Sequence, residues 1–162
     1  MRFKIFLVIS ILFIITLNLQ AQNESKMTAK TRAMVMRAYD TFNSYDFDKI
    51  SDYIDVNYVE HSPDPGQKPG LDGLIQMFVD MKKAFPDFKF TVNDMVVNRD
   101  KVAVLFTFTG TNSGDMMGMK ATNKQVNVQG IDYLLLKDNK CTEHWDYMDM
   151  HTFMQQLGMS KD

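Results

Sequence analysis

The sequence predicts an α+β fold, a single domain in which helices cover one face of a curved, mostly antiparallel sheet. Two observations carry this expectation. Up to Pro86 the apolar residues recur mainly at helical spacing, and beyond it apolar and polar residues alternate over several segments joined by Asn, Asp and Gly turns. Helices first and a long meander after is the order of an α+β domain with its helices gathered on one side of the sheet.

Ahead of the domain, Arg2 and Lys4 lead into the apolar run Ile5 to Leu17 and then Leu19-Gln20-Ala21, followed by polar Gln22-Asn23-Glu24-Ser25. That is the order of a secretory signal peptide, with cleavage expected after Ala21. The apolar run is shorter than the roughly 20 residues of a bilayer span. The expected product is exported, periplasmic or secreted, with no stable membrane insertion once the signal is removed. Residues 1–21 are assigned to the signal and residues 22–162 to one domain, long enough to bury a sizeable core. The chain has 18 Lys and Arg against 20 Asp and Glu, a formal charge of −2, so it lacks the basic footprint of a nucleic-acid binder. Cys141 is the sole cysteine, which rules out an intramolecular disulfide.

From Thr28 to Ser44, Ala33, Val35/Met36, Tyr39 and Phe42 recur at helical spacing, and Phe47, Ile50, Tyr53 and Ile54 continue a second helical period after Asp46. Val56 to Glu60 reads as extended. The two prolines of His61-Ser62-Pro63-Asp64-Pro65-Gly66 force a loop that ends near Gly70. Leu71, Leu74/Ile75, Phe78 and Met81/Ala84 predict a third helix, stopped by Pro86. Phe88 to Val92 with Met95 to Val97, and Val102 to Thr109, predict an antiparallel pair. After a glycine-containing loop, Gly110 to Asn123, come Val126 to Leu136 and Cys141 to Met148, paired across an Asp138-Asn139 turn. A short helix closes the chain from about Asp149 to Leu157.

Five phrases occur in order: Tyr58-x-x-His61-x-Pro63, Ala84-Phe85-Pro86-Asp87, Gly110-Thr111-x-x-Gly114, Glu143-His144-Trp145-x-x-x-Asp149 and Gln156-Leu157-Gly158. Over nearly all of residues 22–162 the chain resembles the SnoaL-like polyketide cyclase family, within the cone-shaped NTF2-like fold. The resemblance implies a sheet wrapped around an apolar cavity, a homodimer associating through the sheet, and an aldol-type closure that needs no metal or cofactor. It places the acid/base carboxylate of the W-x-x-x-D phrase at Asp149. The export signal sets this chain apart from antibiotic-pathway cyclases, which work inside the cell.

Asp149 follows Trp145 and Tyr147 at alternate positions, so on a strand all three would share one face, and an acid desolvated among aromatics is a candidate base. Its position equally suits the N-cap of the last helix. His61, between an extended segment and a proline-rich loop, can donate to a substrate oxygen or close the pocket structurally. His144 has the opposite parity to Trp145 and is expected to face away from the cavity. Glu143, Asp132 and Gln129 are candidate polar lining, with the solvent-facing side of the sheet as the alternative for Asp132. Tyr58, Phe85 and Trp145 are candidate apolar walls or ordinary core. Met116, Met117, Met119, Met148, Met150 and His151 could offer soft ligands to Cu(I), but their spacing matches no ligand pattern and suits a pliable apolar lid as well.

The expectation is a cofactor-free enzyme acting on a small apolar carbonyl compound, with Asp149 moving the proton and His61 assisting at the oxygen. A non-catalytic protein holding a hydrophobic small molecule in the same pocket is the alternative, and a sheet serving mainly as a dimer surface is a third.

Overall fold

A computed structural model describes residues 2–116 and 118–159, and of residues 2–19 the helical backbone alone. The side chains of the expected export signal up to Leu19, and Met117, lie outside the described residues.

Helix α1 spans Arg2–Ser44 without a break, so the helix expected from Thr28 extends far upstream. Within the domain it buries Met34, Val35, Ala38 and Tyr39 and packs on the strand Lys89–Asn98 (β2). Near its end the Asn43 side chain acts as a short extra strand: its Nδ2 donates to the Phe90 carbonyl and its Oδ1 accepts from the Phe90 N–H, both at 2.8 Å. Tyr45, at φ +61°, takes the chain out of the helix. The second helical period is a 3-10 turn over Phe47–Asp52 that buries Ile50. Ile54 belongs to the strand Ile54–Glu60 (β1) rather than to that helix, because its β-branched side chain packs as a strand residue in the core.

Helix α2, Gly70–Ala84, turns Leu74, Phe78 and Ala84 inward. Beyond it lie β3, Lys101–Thr111, β4, Gln125–Lys137, and β5, Lys140–Met148, and the chain closes with helix α3, Met150–Leu157. The sheet order is β1-β5-β4-β3-β2. β1 runs parallel to β5 and the remaining neighbours are antiparallel. The sheet is therefore mixed, open, and covered on one face by the helices.

On β3, Val102, Val104, Phe106 and Phe108 alternate inward. On β4 the inward set is Val126, Val128, Gly130, Asp132, Leu134 and Leu136, in register with β3 through Val104↔Asp132 and Phe106↔Gly130. A Cβ on Gly130 would lie 2.3 Å from Phe106 Cζ, so the absence of a side chain there is what lets that ring lie across the sheet.

β4 and β5 are joined by Asp138 and Asn139, both at positive φ, the two-residue turn that a twisted hairpin prefers. Directly beyond the turn the pairs are Lys137↔Lys140 and Leu136↔Cys141, but further along they become Leu135↔Glu143, Leu134↔His144, Asp132↔Asp146 and Gly130↔Met148. One extra residue, Thr142, has entered β5. Such a bulge moves every later side chain to the other face.

Candidate functional site: an acidic floor in an aromatic cavity

A cavity of about 890 Å³ opens between the helices and the inner face of the sheet. Phe42, Phe78, Phe85, Phe90, Phe106 and Phe108 supply much of its wall, and Met77, Met81, Met116, Met119, Met148 and Met154 supply flexible thioethers. Two loops frame its mouth. The 61–69 loop brings Asp64 to Lys68, and the 112–124 loop brings Asp115, Met116 and Met119. Buried Asn112 shapes the second loop, donating to the Gly114 carbonyl at 2.9 Å and accepting from the Thr122 N–H at 2.9 Å.

The inner polar part of the lining lies where β1, β5 and β4 meet. The imidazole of His144 lies between two carboxylates, with Nδ1 2.7 Å from Glu60 Oε2 and Nε2 3.1 Å from Asp132 Oδ1. The Tyr58 hydroxyl donates to Glu60 and the Tyr39 hydroxyl to Asp132. A continuous chain Tyr58–Glu60–His144–Asp132–Tyr39 results, drawn from β1, β5, β4 and α1. Burial alone would hold His144 neutral, but the bonds and charges of Asp132 and Glu60 outweigh it and raise its pKa to about 10. It is therefore an imidazolium whose two N–H groups are both taken. Burial pushes Glu60 upward, yet His144, Tyr58 and the Ser62 N–H together bring its carboxyl below the ordinary range. Both tyrosine hydroxyls are raised, by burial first and then by the acid each one touches.

Asp146 stands apart from this chain. It sits directly across from Asp132 in the β4–β5 pair and lines the same cavity. Its Oδ1 is buried without a hydrogen-bond partner. Burial and then the Asp132 charge push its pKa up to about 7, against a smaller opposing pull from His144. An unpartnered carboxyl poised near neutrality in an apolar chamber can either give or take a proton.

The residues singled out in the sequence divide between the two faces. Tyr58, Phe85 and Asp132 line the cavity, so the solvent-facing alternative for Asp132 does not hold. His144 also lines it, contrary to the expected parity, because the extra residue at Thr142 reverses the alternation. Trp145, Glu143 and Gln129 are not on the cavity wall. The structure does bring His61, Trp145 and Glu143 together, on the opposite side of the sheet. There the His61 ring lies flat on the Trp145 indole at 3.9 Å, and its Nε2 meets Glu143 Oε2 at 2.8 Å. Gln129 is exposed, and its carbonyl accepts from the Asp149 N–H at 3.0 Å. Asp149 is exposed outside the cavity lining and caps α3, its Oδ1 accepting from the Thr152 N–H at 3.0 Å. The Thr152 bonds hold its carboxyl below the usual range. Sequence reading missed Glu60, Tyr39 and Asp146. The signal that could have found them is Asp132 itself, which shares its parity with Val126 and Val128 and so marks the inner face.

Among the described residues no group of three or more His, Cys, Asp or Glu side chains has the arrangement of a metal site. A model of the SnoaL-like polyketide cyclase family matches residues 33–157. This chain belongs to that family. SnoaL-like proteins of known structure share its NTF2-like fold. TsrD from Streptomyces laurentii is 26% identical, with a TM-score of 0.75 over 82% of this chain and 97% of that one. IdmH from Streptomyces antibioticus, described as a proposed polyketide cyclase, is 28% identical, with a TM-score of 0.69 over 79% and 98%. AclR from Streptomyces galilaeus, described as a proposed hydroxylase, is 27% identical, with a TM-score of 0.73 over 83% and 89%. No curated protein matches the SnoaL-like sequence at a significant level.

Proposed function

We propose that this SnoaL-like protein is an acid/base enzyme that needs no cofactor and acts on an apolar carbonyl compound held in the cavity, with Asp146 moving the proton. The observation that carries the reading is the contrast between two facing carboxylates. Asp132 is held by Tyr39 and His144, whereas Asp146 keeps a buried oxygen without a partner. As a carboxylate, Asp146 takes a proton from the carbon next to the carbonyl; as the acid it then returns that proton to another atom of the same molecule. The His144 imidazolium, fixed between its two acids, supplies positive potential that offsets the developing enolate charge. The outcome is isomerisation or aldol-type closure, which consumes no second substrate.

The test is hydrogen–deuterium exchange at the α-carbon of 2-acetylnaphthalene in D₂O, followed by NMR. Wild type is expected to accelerate the exchange and Asp146→Asn to abolish that acceleration. Equal rates with both proteins overturn the reading. The aromatic and methionine lining on its own also suits a carrier of hydrophobic molecules, and binding without any exchange selects that alternative.

Export and pairing belong to the same proposal. Removal of residues 1–21 would leave the domain free, which the N-terminal mass of protein recovered outside the cytoplasm tests. Exposed Val96, Ile131 and Tyr147 on the outer sheet face support a homodimer through that face. Ile131→Lys is expected to turn a sedimenting dimer into a monomer.

A further inference from the structure

The cavity floor holds several acids and, among the described residues, a single cation that is already engaged. Both His144 nitrogens are occupied by Glu60 and Asp132. Lys68 and Lys83 reach only the mouth, where both are exposed, and Lys83 is paired with Asp80 at 2.7 Å. The hydroxyls of Tyr39 and Tyr58 are spent on Asp132 and Glu60. Asp146, across the strand pair from Asp132, also lines the cavity, and its Oδ1 has no hydrogen-bond partner.

We propose that this cavity selects its ligand by charge, accepting uncharged carbonyl compounds and refusing carboxylates of the same shape, with Asp132 and Asp146 as the specificity-determining residues. The inference rests on the cavity being the substrate site. A carboxylate brought down to this floor gives up its hydration for aromatic walls and finds no free donor cation there, Lys68 staying at the exposed mouth. It is also repelled by Asp132 and, once ionised, by Asp146. An uncharged ketone or ester carries a much smaller desolvation cost and meets no repulsion between like charges.

The selectivity should depend on pH, because Asp146 is faced by Asp132 from β4, His144 from β5, Glu60 from β1, Asp64 from the mouth loop and Tyr39 from α1. Over the range in which Asp146 titrates, His144 stays charged, so proton loss from Asp146 adds a negative charge to a floor that is already acidic.

The experiment is calorimetric titration of the full chain with 2-acetylnaphthalene and with 2-naphthoate, two probes of nearly equal shape. At about pH 8 the ketone is expected to bind at least about tenfold more tightly, and the ratio should narrow at about pH 6. In Asp132→Asn the naphthoate is expected to recover most of that difference; if this variant does not fold, the wild-type ratio and its pH trend decide. Naphthoate bound as tightly as the ketone by wild type overturns charge selection while leaving the cavity a ligand site. Binding of neither probe counts against the cavity reading itself. Because the readout is affinity, it stands apart from whether Asp146 turns a substrate over.

Discussion

Asp132 and Asp146 face each other across β4 and β5, yet one has two hydrogen-bond partners and the other leaves a buried oxygen with none. Two carboxylates at cross-strand distance do not both ionise cheaply, so the proton settles on the one without donors. The division of roles between them is set by which neighbours each one reaches.

That division gives a pH profile. With Asp146 required as the base, kcat/KM is expected to rise through about pH 7 and to fall as His144 loses its proton near pH 10. His144 lowers the Asp146 pKa, so His144→Gln should move the ascending limb to higher pH. Initial rates of α-proton exchange across pH check both limbs, and an ascending limb unmoved in the variant counts against the coupling.

The same carboxyl costs stability. Its folded pKa lies above the ordinary value of about 3.9, so the native state holds its proton longer than the unfolded chain does. Stability is fully present below the unfolded value and is lost as pH rises through about 7. Asp146→Asn should therefore be more stable than wild type above neutrality, by on the order of a few kcal/mol at most, with the advantage vanishing in acid. Urea midpoints at several pH values measure this.

His144 stabilises the fold when charged, where Asp146 costs stability when charged, although both effects run the same way with pH. The folded pKa of His144, about 10, exceeds the ordinary histidine value of about 6.5, so its stabilisation is complete below the unfolded value and is lost as pH rises through the folded one. His144→Gln leaves Glu60 and Asp132 buried without their shared cation, at an expected cost of about 3–5 kcal/mol near neutral pH. Equilibrium denaturation decides it, and a loss confined to a few tenths would mean that the pair is open to water.

Asp149 separates structure from chemistry. Asn caps helices as well as Asp does, so Asp149→Asn should keep both Tm and exchange activity, while Asp149→Ala should lower Tm by freeing the start of α3. Loss of exchange in Asp149→Asn with Tm unchanged would return the proton transfer to this residue.

Gly130 is a packing constraint on the floor. Gly130→Ala places a methyl group against the Phe106 ring and should cost about 1–3 kcal/mol through overpacking. Phe106→Leu combined with it should recover part of that loss, as thermal melts of the four proteins would show.

The fold was readable because its signals are local: the helical stripe of α2, the unbroken alternation from Val102 to Phe108, and the Asp138-Asn139 turn all state their own conformation. The site was legible only in part. From Cys141, which faces inward, strict alternation puts Glu143, Trp145 and Tyr147 on the inner face, and their bulk made that assignment attractive. The bulge at Thr142 instead turns His144, Asp146 and Met148 inward. A bulge depends on how two strands fit, which one strand's composition does not record. The inversion also runs against hydrophobic sorting, since the polar residues of β5 face a chamber and its aromatics face outward. Tyr58, Phe85 and Asp132 lie on the cavity wall, although the alternation alone left core packing open for the first two and the solvent-facing side open for Asp132.

The polar chain from Tyr58 to Tyr39 has a kinetic consequence. It joins residues 84 and 93 positions apart, His144 with Glu60 and Asp132 with Tyr39. Closing loops of that length is costly in chain entropy, so these contacts are expected to form late, after the meander has assembled and β1 has docked in parallel at its edge. Weakening Glu60 or Tyr39 should then quicken unfolding while leaving the refolding rate nearly unchanged. The residues that prepare the floor for chemistry would thereby also act as the latch that keeps the finished sheet from reopening.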